Sequence, residues 1–229
     1  MRIAEFSRVG LLVSTAIFAF GLAAGVLVDL YARRVRQMLW RDQSPDKVPP
    51  GKAPPAAFVI LWTGVLTVAA FTWAPRPWAA VDLTPLLVLV AVVDLEHHLI
   101  LDETILTGVI TGLALATAGL SMTLWSAIGG LLLIGGLMLV VGILGRGGMG
   151  GGDVKFGAVI GVFAGPWLGL LALFFGFILA ALAGVGLLLS RRKGRKDAIP
   201  FGPFLAAGTF LAVVWGMVIL QAYTHLVLK

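Results

Sequence analysis

The chain has 229 residues, 59% of them hydrophobic and only 12% charged, with a mean hydropathy of +1.02. Those values exclude an ordinary soluble domain and read as a polytopic membrane protein. The net charge of +6 sits in loops, where it sets topology rather than binding nucleic acid, and the lack of cysteine excludes a disulfide framework or a thiolate zinc site.

At about 20 residues per membrane helix the length allows seven or eight spans. Apolar runs fall at roughly 9–30, 56–74, 78–94, 104–121, 124–144, 154–164, 167–190 and 201–225. The first run follows Arg2 and Arg8 and lacks a small-residue cleavage site, so it reads as a retained span and not a signal peptide. The stretch 154–190 is too long for one span, and Gly165-Pro166 divides it into a short helix and a longer one. Backbone groups in lipid must be satisfied internally, so each run is expected to be helical. The expected fold is all-α, with about eight spans.

The basic residues orient it. Arg33, Arg34, Arg36, Arg41, Lys47 and Lys52 follow the first run, and Arg191, Arg192, Lys193, Arg195 and Lys196 follow the seventh. An even count puts both clusters on one side with Arg146 and Lys155, leaving Arg2, Arg8, Arg76 and Lys229 opposite; the crowded side is then cytoplasmic and both termini are not. The proline-rich stretch 42–56 reads as an extended linker without a core of its own.

Between the fifth and sixth runs stands Gly147-Gly148-Met149-Gly150-Gly151-Gly152-Asp153-Val154-Lys155. So many glycines imply a tight bend or a close backbone approach, and a carboxylate at a bilayer edge is costly unless paired, hydrated or used. By the topology above, Asp94 closes the third span on the cytoplasmic side, Asp102 and Glu103 open the fourth there, and Asp153 opens the sixth there. Two carboxylates brought together at that face could work on a water molecule as general acid and general base. The plainer reading is that each acid caps a helix end or answers its dipole, which is the preferred reading for Asp102 and Glu103. His97 and His98 read as interfacial residues or as hydrogen-bond partners of the acids, although their spacing from Asp94 also admits a metal site. A transporter that uses Asp94 and Asp153 for a cation or a proton is the rival from another class.

Three stretches carry a resemblance. Val93-Asp94-Leu95-Glu96-His97-His98-Leu99-Ile100-Leu101-Asp102 resembles the first catalytic motif of the type IV prepilin peptidases, which ends in a hydrophobic residue, Pro and Asp or Asn. Met149-Gly150-Gly151-Gly152-Asp153-Val154-Lys155 resembles their Gly-x-Gly-Asp motif, and Ile199-Pro200-Phe201-Gly202-Pro203-Phe204-Leu205-Ala206-Ala207-Gly208 resembles their entry to the last span. The resemblance implies a membrane aspartic endopeptidase with Asp94 and Asp153 as the catalytic pair. Gly150, Gly152, Lys155, His97, Pro200, Gly202 and Pro203 would shape the loops or orient substrate. It further implies prepilin or pseudopilin substrates with basic leaders, an inner-membrane location with the site facing the cytoplasm, and no metal or other cofactor. Nucleic acid is not an expected partner, the lipid bilayer is, and oligomeric state stays open.

The departures are Leu101, where the family usually has Pro, and the amino-terminal part. Many members also methylate the new N-terminus and carry a cytoplasmic insert with paired Cys-x-x-Cys motifs. Here the insert shrinks to a short loop without cysteine, and Gly25-Val26-Leu27-Val28-Asp29 keeps only the glycine of the family's Gly-Ser-Phe-Leu-Asn. The resemblance thus implies a peptidase-only form, with residues 1–56 a reduced methyltransferase region and 57–229 the catalytic domain.

Overall fold

The computed structural model describes residues 2–40, 54–145, 149–190 and 199–227. Gly147, Gly148, Arg146, the basic cluster 191–196 and most of the 42–56 linker lie outside the described residues. Among the described residues seven helices account for the regular structure: α1 (Arg2–Trp40), α2 (Ala56–Trp73), α3 (Pro77–His97), α4 (Asp102–Thr117), α5 (Leu124–Leu144), α6 (Gly151–Leu189) and α7 (Gly202–Val227). Six of them are long and apolar enough to cross a membrane; α4, with 16 residues, is shorter. Local chemistry sets the boundaries. Pro77 opens α3 where its missing N–H costs nothing, and Thr123 caps α5 by accepting the Ser126 N–H at 3.3 Å.

The expected division at Gly165-Pro166 takes a specific form. Helical structure continues on both sides of the pair, from 151 to 189, yet Gly165 within it has φ 72° and ψ −175°. That region of backbone space is open essentially to glycine alone, and the following Pro166 favours an extended residue before it. Gly157, before the break, and Gly169, after it, both pack against Ile134 of α5. In a straight helix twelve residues would separate them by about 18 Å, so the chain doubles back at Gly165 and α6 is a helical hairpin.

Contacts fix the remaining directions. Gly21 packs on Gly64 and Thr67, and Gly25 on Ile60 and Thr63, which sets α1 and α2 antiparallel. Gly130 of α5 and Gly161 of α6 meet backbone to backbone, an approach that any side chain would block. The first arm of α6 is the centre of the bundle: Phe156, Val159 and Ile160 are fully buried in a core shared with Leu83, Val90, Ile134, Met138 and Leu205. Buried Thr63, Thr67 and Thr209 satisfy their hydroxyls on carbonyls one turn back.

One end of the bundle gathers the end of α3 and the starts of α4, α6 and α7. Exposed Trp73, Trp78, Trp125 and Trp167 mark the other end, at the α2–α3 and α4–α5 junctions and at the α6 turn. Amphipathic indole rings favour the level of the lipid headgroups.

Candidate active site

Asp94 and Asp153 are among the few buried polar residues, 5% and 9% exposed. Asp94 sits one turn from the end of α3, which stops at His98 in a left-handed conformation (φ 52°, ψ 39°) whose N–H donates to the Asp94 carbonyl at 2.9 Å. His98 is therefore the helix stop. The chain then runs through 99–101 into α4, entering through Leu101 at φ −77°, ψ 138°. Proline would hold the same angles. The leucine therefore leaves the entry to α4 in a proline-like geometry.

Asp153 lies in the first turn of α6, its N–H donating to the Gly150 carbonyl at 3.1 Å. Gly150 is extended (φ −68°, ψ 143°) and Gly151 and Gly152 are already helical, so these glycines are not chosen for left-handed angles. Their value is closeness. A Cβ on Gly152 would stand 2.9 Å from the Cβ of Ile100 in the α3–α4 connection, and one on Gly150 would stand 3.4 Å from Asp153 Oδ2. Gly151 faces open space. Packing Gly152 on Ile100 draws the start of α6 against the end of α3, and Asp153 comes within Coulombic reach of Asp94.

The third stretch completes the arrangement. Gly202 is the first residue of α7, with Pro203 next to it, and its N–H donates to Asp94 Oδ2 at 2.8 Å. That N–H has no partner inside its own helix, so Asp94 serves as the cap of α7 across the bundle. A Cβ at Gly202 would fall 2.8 Å from the same oxygen. Pro200 is half-buried just ahead of this turn.

Two other expected site residues are engaged elsewhere. Lys155 Nζ is paired with Asp102 Oδ1 in an exposed contact that ties α6 to α4. His97 has a buried side chain whose Nε2 stands 3.5 Å from Glu96 Oε2, beyond good hydrogen-bond geometry, and finds no hydrogen-bond partner. Glu96 instead accepts from Arg36 Nη2 of α1 at 2.7 Å. That pairing, and Tyr31 Oη donating to Glu103 Oε2 at 2.7 Å, were not foreseen from sequence, because nothing in the spacing of α1 tells which helix its last turns meet. Among the described residues no three His, Asp or Glu side chains stand together at metal-ligand spacing.

A family model described as the type IV leader peptidase family matches residues 82–185, which contain both acids. Over that region the chain is similar to the type IV leader peptidase family. Its relatives include the prepilin leader peptidase/N-methyltransferase of Bacillus subtilis, 36% identical over 152 residues, covering 65% of this chain and 60% of the relative. Proteins of the same name from Aeromonas hydrophila (35% identical; 72% of this chain, 60% of the relative) and Pseudomonas putida (31%; 70% and 55%) are similar too. The chain thus spans roughly 60% of the length of the curated relatives it matches. No solved structure matches.

Proposed function

We propose that this protein is a member of the type IV leader peptidase family, to which residues 82–185 are similar, and an aspartic endopeptidase that removes basic leaders from prepilins or pseudopilins at the cytoplasmic face of the inner membrane. The observation that carries the reading is the convergence of Asp94 and Asp153, both buried, each in contact with a helix N-terminus, at the end of the bundle where α4, α6 and α7 begin. In the reaction one carboxylate takes a proton from water, whose oxygen attacks the scissile carbonyl carbon, while the other carboxyl donates its proton to the carbonyl oxygen. As the tetrahedral diol collapses, one hydroxyl returns its proton to the second carboxylate, the C–N bond breaks, and the proton held by the first acid passes to the leaving amine. The pair titrates as a unit, so the roles belong to the pair. Gly202 holds one oxygen of Asp94 in place and leaves the other for the reaction.

In this reading the helices cross the membrane eight times, α6 contributing two passes, and the start of α1 and the end of α7 lie opposite the site. Residues 57–229 form the peptidase domain. Residues 1–56 stand in for a methyltransferase region that is too reduced, and without cysteine, to act as one. The rival transporter reading draws no support from relatives named as peptidases.

The test is processing of a prepilin with a basic leader by purified protein, wild type against Asp94→Asn and Asp153→Asn. Each variant should lose cleavage while keeping its melting temperature. Normal leader removal by either one would overturn the assignment. Mass spectrometry of the cleaved product, with S-adenosylmethionine supplied, should find the new N-terminus unmethylated.

A further inference from the structure

A cavity of about 560 Å³ opens along the side of the bundle between α1 and α4. Leu27 and Tyr31 of α1 form one wall, Thr107 and Thr111 of α4 the other, and Pro85 and Leu86 of α3 the floor. Both walls pack on α3, and among the described residues their backbones stay apart. The Tyr31–Glu103 hydrogen bond spans the cleft at the end near the catalytic acids. Its other end is lined by Asp82 and Thr111. Asp82 precedes Asp94 by twelve residues of one helix, about 18 Å along the axis. The cleft is therefore a slot along α3 that runs from Asp82 to Leu89, toward the end of the helix that carries Asp94.

We infer that this slot receives the apolar membrane segment of the substrate as a helix lying along α3, with Asp82 and the threonine row of α4 meeting a hydrogen-bonding group on it. The inference rests on the peptidase reading above and names where that site's substrate lies. Its first support is position: the cleft runs beside α3 and reaches Tyr31 and Glu103, close to where α4 starts at the end of the bundle that holds Asp94. Its second is the lining. Thr104, Thr107 and Thr111 recur at helical spacing on one face of α4, and the Thr107 hydroxyl is back-bonded to the Glu103 carbonyl at 2.8 Å. Short side chains with satisfied hydroxyls let a second helix approach closely. A lipid acyl chain in the same slot would offer Asp82 nothing to bond, and an unsatisfied acid at membrane depth is costly. A peptide helix with a hydroxyl, amide or amine at that depth removes the cost.

The lack of native cysteine makes the test direct. Leu27→Cys and Thr107→Cys place thiols on opposite walls, and Leu133→Cys places one on the exposed face of α5. Each is combined with Asp153→Asn, which keeps substrate whole, and mixed in detergent micelles with a prepilin bearing one cysteine midway along its apolar segment. Oxidation should cross-link Leu27→Cys and Thr107→Cys to the substrate and leave Leu133→Cys unlinked. In the otherwise wild-type protein, Thr107→Trp fills the slot and should raise KM by about tenfold or more with kcat nearly constant, the pattern of lost substrate binding. Cross-linking at Leu133→Cys equal to that in the slot overturns the inference. So does phospholipid that co-purifies with the wild type, is lost from Thr107→Trp, and leaves KM unchanged. If the wild type itself fails to cleave the prepilin, the peptidase reading fails, and the cross-links then report on the slot alone.

Discussion

The carboxylate of Asp94 at the end of α3 accepts the first backbone N–H of α7 from Gly202, at 2.8 Å. The contact joins two stretches far apart in sequence, and it has no room to spare, since a Cβ on Gly202 would lie 2.8 Å from Asp94 Oδ2 and 3.1 Å from its Cβ and Cγ. Gly202→Ala should push the carboxylate out of register with Asp153. A displacement of that order costs about 10²-fold in rate where reacting groups must be aligned. Leader-cleavage kinetics should show kcat/KM falling by about that factor while the thermal melt in detergent moves little. An alanine variant that cleaves at the wild-type rate would mean that Gly202 does not set the position of Asp94.

Gly151 and Gly152 look alike in sequence and differ in surroundings. Gly151 is helical with nothing nearby, whereas Gly152 packs on Ile100. Alanine is favoured over glycine within a helix by about 0.8–1 kcal/mol. Gly151→Ala should therefore raise the melting temperature slightly and keep activity. Gly152→Ala should lose activity, because the start of α6 must back away from the α3–α4 connection and carry Asp153 with it. Equal activity of the two variants would remove closeness as the reason for the glycine at 152.

These cases mark what the sequence could and could not tell. Composition, run length and the Gly165-Pro166 break were enough for an all-helical membrane fold and for the point where α6 turns back, because hydropathy and backbone chemistry act locally. The two acids were legible for the same reason, since a carboxylate at a span end stands out against an apolar background. Gly202 was legible only as part of a turn, for its hydrogen bond depends on α7 meeting α3. Lys155 was expected to shape the loop or orient substrate; its partner is Asp102 in an exposed pair, a contact that spacing alone could not supply. His97 was expected to play the same part, and it lies buried beside the Glu96–Arg36 pair.

That pair supports a third prediction. Glu96 has a side chain only 6% exposed and takes its hydrogen bond from Arg36, which is 33% exposed. Removing one partner of a buried pair leaves the other charge uncompensated, at about 3–5 kcal/mol for full burial and less here because Arg36 is partly solvated. Arg36→Met should thus destabilise the protein more than the double variant Arg36→Met with Glu96→Gln. A double-mutant cycle on thermal or denaturant melts measures the difference. Identical losses in the single and double variants would show that the ion pair contributes nothing.

Leu101 gives the last prediction. It enters α4 at φ −77°, ψ 138°, within the range to which a proline ring is confined. Its carbonyl accepts the Ile105 N–H at 3.2 Å, which a proline carbonyl would also do. Where the native angles already suit proline, the substitution restricts the unfolded chain and stabilises by about 0.4–1 kcal/mol. Leu101→Pro should therefore raise the melting temperature by a small amount and leave leader cleavage intact, because Asp94 is held by α3 and by Gly202 rather than by this turn. A clear loss of stability would show that the Leu101 side chain, packed near Val92 and Val93, outweighs the backbone gain. A loss of cleavage with unchanged stability would instead tie the α3–α4 connection to the motion of the acids during the reaction.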